Sequence, residues 1–122
     1  EFEPGDASEF GLSLRRSPDG EEETRLIYRQ QDATLSIDRF HSTKDPEQYT
    51  YPKGEPLPLA PGENLKLQIF IDRSVIEVFA NDRLCLTTRI YPTRDDSQGI
   101  AAFAVGTATL QQLDAWQLAP TF

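Results

Sequence analysis

Cleavage of a glycosidic bond needs two carboxyl groups held a few ångströms apart. The acidic candidates for such a pair are Asp38, Asp72, Glu77, Asp82 and the adjacent Asp95 and Asp96. All but Glu77 fall where turns are expected, and aspartate in a turn usually accepts hydrogen bonds from the local backbone. Glu77 sits inside the run Val75-Ile76-Glu77-Val78-Phe79, on one face with Val75 and Phe79, while Ile76 and Val78 point the other way toward a core. An acid in that place is either in water or paired across the strand with a base such as Arg89, because an unpaired buried carboxylate is costly. A structural or interface ion pair is therefore the favoured reading over catalysis, and Glu77, Phe79 and Arg89 are candidate interface residues.

Other chemistries lack their parts. His41 is the one imidazole, and no Gly-x-Ser-x-Gly elbow accompanies it, so serine-nucleophile chemistry has no supply of groups. One histidine and one cysteine, Cys85, cannot build a His-rich or Cys-rich metal site or an internal disulfide. No metal and no cofactor are expected. Gly99 and Gly106 are isolated and form no phosphate cradle. Aromatic rings offer a flat apolar face to the C–H side of a sugar. Tyr49 and Tyr51, alternating in a loop, are the weak sugar-contact candidates, whereas Trp116 reads as a core anchor.

These residues are carried on a chain of 122 residues with a net charge of −8, which is enough for one domain. An excess of 20 acidic over 12 basic side chains repels phosphate backbones and anionic lipid heads, so neither nucleic acid nor a membrane is an expected partner. No apolar run reaches the length of a membrane helix.

Period-two alternation dominates the pattern. Leu65, Leu67, Ile69 and Ile71 share one face of a strand over 65–71, followed by strands over 75–79 and 84–91. Earlier strands are expected over 10–15, 25–29 and 34–39, and later ones over 99–105 and 108–118. The last also fits a helical step through Leu110, Leu113 and Trp116, but Thr107 and Thr109 favour strand. Ser17-Pro18-Asp19-Gly20 is a strong turn signal, and Asn81-Asp82 carries the non-glycine residues that best tolerate a tight hairpin turn. The stretch 45–64 holds five of the nine prolines, so it cannot be a central strand and is expected along the surface. A short echo, Ile37-Asp38-Arg39 against Ile71-Asp72-Arg73, suggests two strands ending at equivalent corners.

The run Ile71-Asp72-Arg73-Ser74-Val75-Ile76-Glu77-Val78-Phe79-Ala80-Asn81 resembles the signature hairpin of the C-terminal β-sandwich module of glycoside hydrolase family 32, which contains invertases, levanases, inulinases and sucrose-6-phosphate hydrolases. The resemblance continues through Leu86-Thr87-Thr88-Arg89-Ile90-Tyr91-Pro92, Gly99-Ile100 and Leu113-Asp114-Ala115-Trp116. It also includes Phe10-Gly11-Leu12, Glu21-Glu22-Glu23-Thr24 and Leu35-Ser36-Ile37-Asp38-Arg39, and is weakest over 44–64. One departure is Asp82-Arg83, where the family commonly has glycine after the asparagine. The resemblance implies a non-catalytic appendage beside a five-bladed β-propeller that holds the catalytic acids. Those acids lie in motifs of the types Trp-Met-Asn-Asp-Pro-Asn-Gly, Arg-Asp-Pro and Glu-Cys, none of which is in this sequence; Lys44-Asp45-Pro46 only grazes the second. Glu1-Phe2-Glu3 resembles the end of a strand that starts further upstream, which implies an N-terminally truncated module; Glu1-Phe2 also fits a cloning scar.

The expectation is an all-β, two-sheet antiparallel β-sandwich (concanavalin-like or jelly-roll-like) over residues 1–122 as a single module. Its core is expected to contain Leu65, Leu67, Ile69, Ile71, Ile76, Val78, Leu86, Ile100 and Phe103. The leading functional expectation is a non-catalytic accessory domain supporting propeller stability and oligomerisation in an enzyme that hydrolyses β-fructosides. A lectin-like carbohydrate-binding module is the alternative. A freestanding hydrolase is disfavoured because the catalytic motifs are missing.

Overall fold

The alternating runs fold into strands, as their side-chain period requires. A computed structural model describes residues 1–45 and 53–116. Among them there is no helix, and the strands are β1 (Phe2–Glu3), β2 (Glu9–Arg16), β3 (Thr24–Arg29), β4 (Thr34–Asp38), β5 (Lys53–Pro56), β6 (Leu67–Asp72), β7 (Val75–Ala80), β8 (Leu84–Arg89), β9 (Gly99–Val105) and β10 (Thr109–Leu110). One layer has the antiparallel order β5-β4-β3-β2-β9. The other is built from β6-β7-β8 and from the pair β1-β10, joined by reciprocal backbone bonds of 2.9 Å between Phe2 and Leu65. The result is a two-layer antiparallel sandwich.

Both layers feed one core. Phe10, Leu12, Leu14, Leu26, Tyr28, Leu35 and Ile37 from the first layer meet Leu65, Ile76, Val78 and Leu86 from the second, all essentially buried. Phe10 stacks between Phe2 and Tyr28 with ring centroids 5.4 and 5.5 Å away, in the tilted geometry aromatic pairs prefer. The buried Tyr28 hydroxyl donates to the Leu57 carbonyl (2.8 Å), which satisfies its polar end.

The burial expected of six residues is corrected. Leu67 and Ile69 only partly cover the core, and Ile71 and Ile100 are 37% and 48% exposed. Phe103 lies opposite Gly11 on the outer face of the first layer, where the Arg25 guanidinium stacks 3.8 Å from its ring centre. Trp116, read as an anchor, is 79% exposed. Ile100 and Phe103 have opposite parities, so one strand could not bury both in the same core; Ile100 faces inward, but no strand of the second layer pairs over it among the described residues. The proline-rich stretch also contributes a strand, β5, and it sits at the sheet edge, where proline costs no ladder bond.

The turns follow their residue types. Gly20 donates to the Ser17 carbonyl (2.9 Å) and takes φ +74°, while the Ser17 hydroxyl donates to Asp19 (2.7 Å). Asn81 and Asp82 both adopt left-handed φ, +51° and +55°, closing the β7–β8 hairpin as a tight turn with matched twist. Asn81 has side-chain work beyond its backbone: its Oδ1 accepts from Lys66 N (2.7 Å) and its Nδ2 donates to the Asn64 carbonyl (2.8 Å). Asp82 is strained by the same backbone without such anchoring. Asp82→Gly is therefore expected to stabilise the fold by about 0.5 kcal/mol, the relief of a left-handed β-carbon less the added freedom of the unfolded chain. Thermal unfolding of the two proteins side by side checks this; a lower midpoint for the variant refutes it.

Candidate functional site

The outer face of β6-β7-β8 follows directly from the register. Pairing of Val78 with Ile69 and Leu86 turns Phe79, Glu77 and Val75 outward, with Glu77 between Phe70 and Thr87, and Phe79 between Gln68 and Cys85. Phe70 is 42% exposed, and its ring meets that of Phe79 edge-on at 6.1 Å. Glu77 and Phe79 are half-buried, and Cys85 and Arg89 are exposed. Of the two alternatives for Glu77, water or a base such as Arg89, no ion pair to Arg89 occurs among the described residues: the register sets Arg89 opposite Val75, diagonal to Glu77. The face thus carries an aromatic pair with two acids, Glu77 and Asp72, and the base Arg89 around it. Tyr49 and Tyr51 lie outside the described residues.

The turn aspartates have structural work. Asp38 accepts from Phe40 N (2.9 Å) at the end of β4. Asp19 and Asp96 clamp Arg94 through contacts of 2.7 to 2.9 Å, and this guanidinium holds the Asp19 carboxyl well below the usual carboxylate range. Both corners suggested by the Ile-Asp-Arg echo lie at one end of the sandwich. There Arg39 donates to the Arg89 carbonyl (3.1 Å), and Arg15 donates to the carbonyls of Ser97 (2.8 Å) and Arg73 (3.4 Å).

Sequence reasoning missed the most committed carboxylate. Glu22 is fully buried, with no cationic side chain bonded to it among the described residues. Its Oε2 accepts from Lys44 N (3.1 Å), Thr93 N (2.9 Å) and the Thr93 hydroxyl (2.9 Å); its Oε1 accepts from Arg94 N (3.1 Å) and the Ser97 hydroxyl. Burial by itself would raise this carboxyl group's pKa, but the hydrogen bonds from Ser97, Thr93 and Arg94 outweigh it and hold the group below its ordinary value. Glu22 thereby fastens the 17–22 turn to the 43–45 and 92–98 segments. Three successive glutamates at 21–23 offered no signal as to which of them turns inward, since its partners lie up to 75 residues away.

At the opposite end, a shallow polar depression of about 310 Å³ is lined by Glu1, Glu63, Asn64, Lys66, Asn81 and Asp82. Glu63 is engaged by Arg83 through contacts of 2.7 and 2.9 Å, which bring its pKa down to about 2. Asn64 Nδ2 donates to Glu1 (2.7 Å). No group of side chains suited to hold a metal ion occurs among the described residues. The carboxylates with strong partners are spent on turns and loops, at opposite ends of the sandwich.

Comparison with known proteins follows the same line. Residues 1–117 match the family described as Glycosyl hydrolases family 32 C terminal. The chain is 39% identical to levanase of Bacillus subtilis (strain 168) over 105 residues, which are 83% of this chain and 15% of that protein. It is 32% identical to sucrose-6-phosphate hydrolase of Escherichia coli over 114 residues, 93% of this chain and 22% of that one. Among solved structures, exo-inulinase from Aspergillus awamori superposes with a TM-score of 0.76 and 30% identity, over 84% of this chain and 20% of that chain. The chain therefore spans no more than about a fifth of the length of these relatives.

Proposed function

The chain belongs to the C-terminal family of the family 32 glycosyl hydrolases, and from that premise we propose that it is a non-catalytic accessory β-sandwich of an enzyme that hydrolyses β-fructosides. The observation that carries this reading is the fate of the acids. Glycoside hydrolysis requires two carboxyl groups facing one bond, roughly 5 to 9.5 Å apart, with free oxygens. Here Glu22 has both oxygens filled by five donors, and Asp19, Asp96 and Glu63 are locked to arginines. What remains is a scaffold with a contact face.

That face is the outer surface of β6-β7-β8, with Glu77, Phe79 and Arg89 meeting a five-bladed β-propeller catalytic domain or a second subunit. An aromatic pair at the centre of a patch with charges at its margin is the composition of a contact hot spot. The test has two arms. Incubated alone with sucrose, inulin and levan, the chain is expected to release no fructose; release by the purified chain overturns the reading. Titrated against the separately expressed catalytic domain of a family 32 enzyme, Phe79→Ala is expected to weaken association about tenfold or more, and Glu77→Ala less. Unchanged affinity in both variants removes this face from the interface. Saturable binding of the isolated chain to one of the three sugars would favour the lectin-like reading instead.

A further inference from the structure

The segment 92–98, Pro-Thr-Arg-Asp-Asp-Ser-Gln, lies between β8 and β9 and carries no large apolar side chain. Ser97 alone in it is buried, so water exclusion, which holds the strands, does little for it. Its backbone bonds from Ser97 N to the Arg94 carbonyl (3.3 Å) and from Gln98 N to the Asp96 carbonyl (2.9 Å) stay within the segment. Its ties to the rest of the molecule are polar among the described residues. Thr93 N, the Thr93 hydroxyl, Arg94 N and the Ser97 hydroxyl all donate to Glu22. The Arg94 guanidinium grips Asp19, and Arg15 Nε donates to the Ser97 carbonyl (2.8 Å).

Four of those bonds end on one carboxylate, whose fifth donor, Lys44 N (3.1 Å), ties in the 43–45 segment. Ionised, Glu22 accepts all five on its two oxygens. Protonated, one oxygen carries a hydrogen that must itself be donated, toward N–H and O–H groups that also donate. The charged groups around it are Asp19, Glu21 and Glu23 on its own turn, His41, Lys44 and Asp45 on the second segment, and Arg94, Asp95 and Asp96 on the third. Neither Lys44 nor Arg94 reaches Glu22 with its side chain: Lys44 Nζ is on Glu21 (3.2 Å), and the Arg94 guanidinium is shared by Asp19 and Asp96. All five donors are thus neutral N–H and O–H dipoles, aimed at the charge of Glu22 itself.

We propose that Glu22 is an acid-released latch: on its protonation the 92–98 segment and the Lys44 backbone let go as one local unit, while the two-layer core stays folded. The core does not depend on the latch for its burial, because Leu14, Leu26, Ile76 and Ile90 are covered by other apolar side chains of the two layers. The direction follows from linkage. The closed latch holds the Glu22 carboxyl below its ordinary value, near 4.5, and the open one restores that value. Opening therefore gains as the pH falls below about 4.5, by up to about tenfold per pH unit for one proton. Above that value both forms are ionised and the latch stays shut. The contacts of Lys44 with Glu21 and of Arg94 with Asp19 bridge the same segments from the solvent side, where water and salt weaken them.

Hydrogen exchange, corrected for intrinsic rates, tests this in the 122-residue chain from about pH 6 to about pH 3.5. The amides of Lys44, Thr93 and Arg94 report on the latch, and those of Leu26 and Val78, inside the two ladders, on the core. Protection at the three latch amides is expected to fall about tenfold or more below about pH 4.5, and dilute urea is expected to leave it unchanged, because a local opening exposes little surface. Leu26 and Val78 are expected to stay better protected and to respond to urea. In Glu22→Gln the latch amides are expected to be weakly protected already at pH 7 and to lose the acid-dependent fall. The same protection and urea response at all five amides would be global unfolding alone and overturns the proposal. So does protection of the latch amides that ignores pH. A Glu22→Gln chain that keeps the wild-type acid response also overturns it, since the trigger then lies in Asp19, Glu21 or Asp96.

Discussion

Glu22→Gln is expected to lower stability by about 3 kcal/mol, which for a chain of this size is about 12 °C in unfolding midpoint. The amide keeps the volume but removes the charge, and it presents an NH2 group to one cluster of donors: Lys44 N, Thr93 N and Oγ1, or Arg94 N and the Ser97 hydroxyl. Buried N–H groups that lose their acceptor bear the full desolvation cost. The pH dependence supplies a second signature. The native pKa of Glu22 is depressed, so its contribution is fully present above the unfolded value, near 4.5, and fades as the pH falls toward the depressed native value. Wild type should therefore lose stability on acidification below about pH 4.5 more steeply than Glu22→Gln. Chemical unfolding at pH 7 and at several values below 4.5 checks both statements; a variant within about 1 kcal/mol of wild type at pH 7 would show that the hub is dispensable.

Gly11→Ala is the second large effect, and it arises from space rather than charge. A β-carbon at Gly11 would lie 1.9 Å from the Leu26 carbonyl oxygen and 3.0 Å from its carbonyl carbon. Those atoms belong to the backbone of the neighbouring strand, so relief requires β2 and β3 to separate in the middle of the first layer, where they are bonded along six residue pairs. A loss of at least about 3 kcal/mol is expected, in the range of overpacking compounded by broken ladder bonds. Denaturant titration measures it, and a near-native midpoint would mean that the two strands yield far more readily than a paired ladder should. Gly62, where an added β-carbon meets nothing within 4 Å, marks the contrast: there only its φ of +79° opposes a side chain.

Much of the strand inventory was open to reading because it depends on neighbours in sequence. Alternation marked β6, β7 and β8 to within a residue or two. Ser17-Pro18-Asp19-Gly20 and Asn81-Asp82 announced turns by the φ angles their side chains tolerate. The family resemblance centred on the same hairpin, and the match over residues 1–117 agrees with it. That Glu77 and Phe79 share one face was legible from their parity, but the position of Arg89 opposite Val75 depended on the register across β8.

What the chain's order of residues determined by itself is therefore local: which segments extend, where they turn, and which side chains travel together on one face. Only the tertiary structure decided which face is covered. Period two says that Ile100 and Phe103 point oppositely, not that Phe103 lies beneath Arg25 or that Ile100 is left half exposed. It cannot single out Glu22 among three glutamates, because the five donors that make its burial tolerable come from segments 22 to 75 residues further along the chain. Nor does it show that Glu1 N donates to the Gln112 carbonyl while Gln111 N donates to the Glu1 carbonyl, a bulge that comes from pairing across the length of the chain. Backbone preference is set over a few residues, whereas burial is settled by whichever distant surface arrives to exclude water.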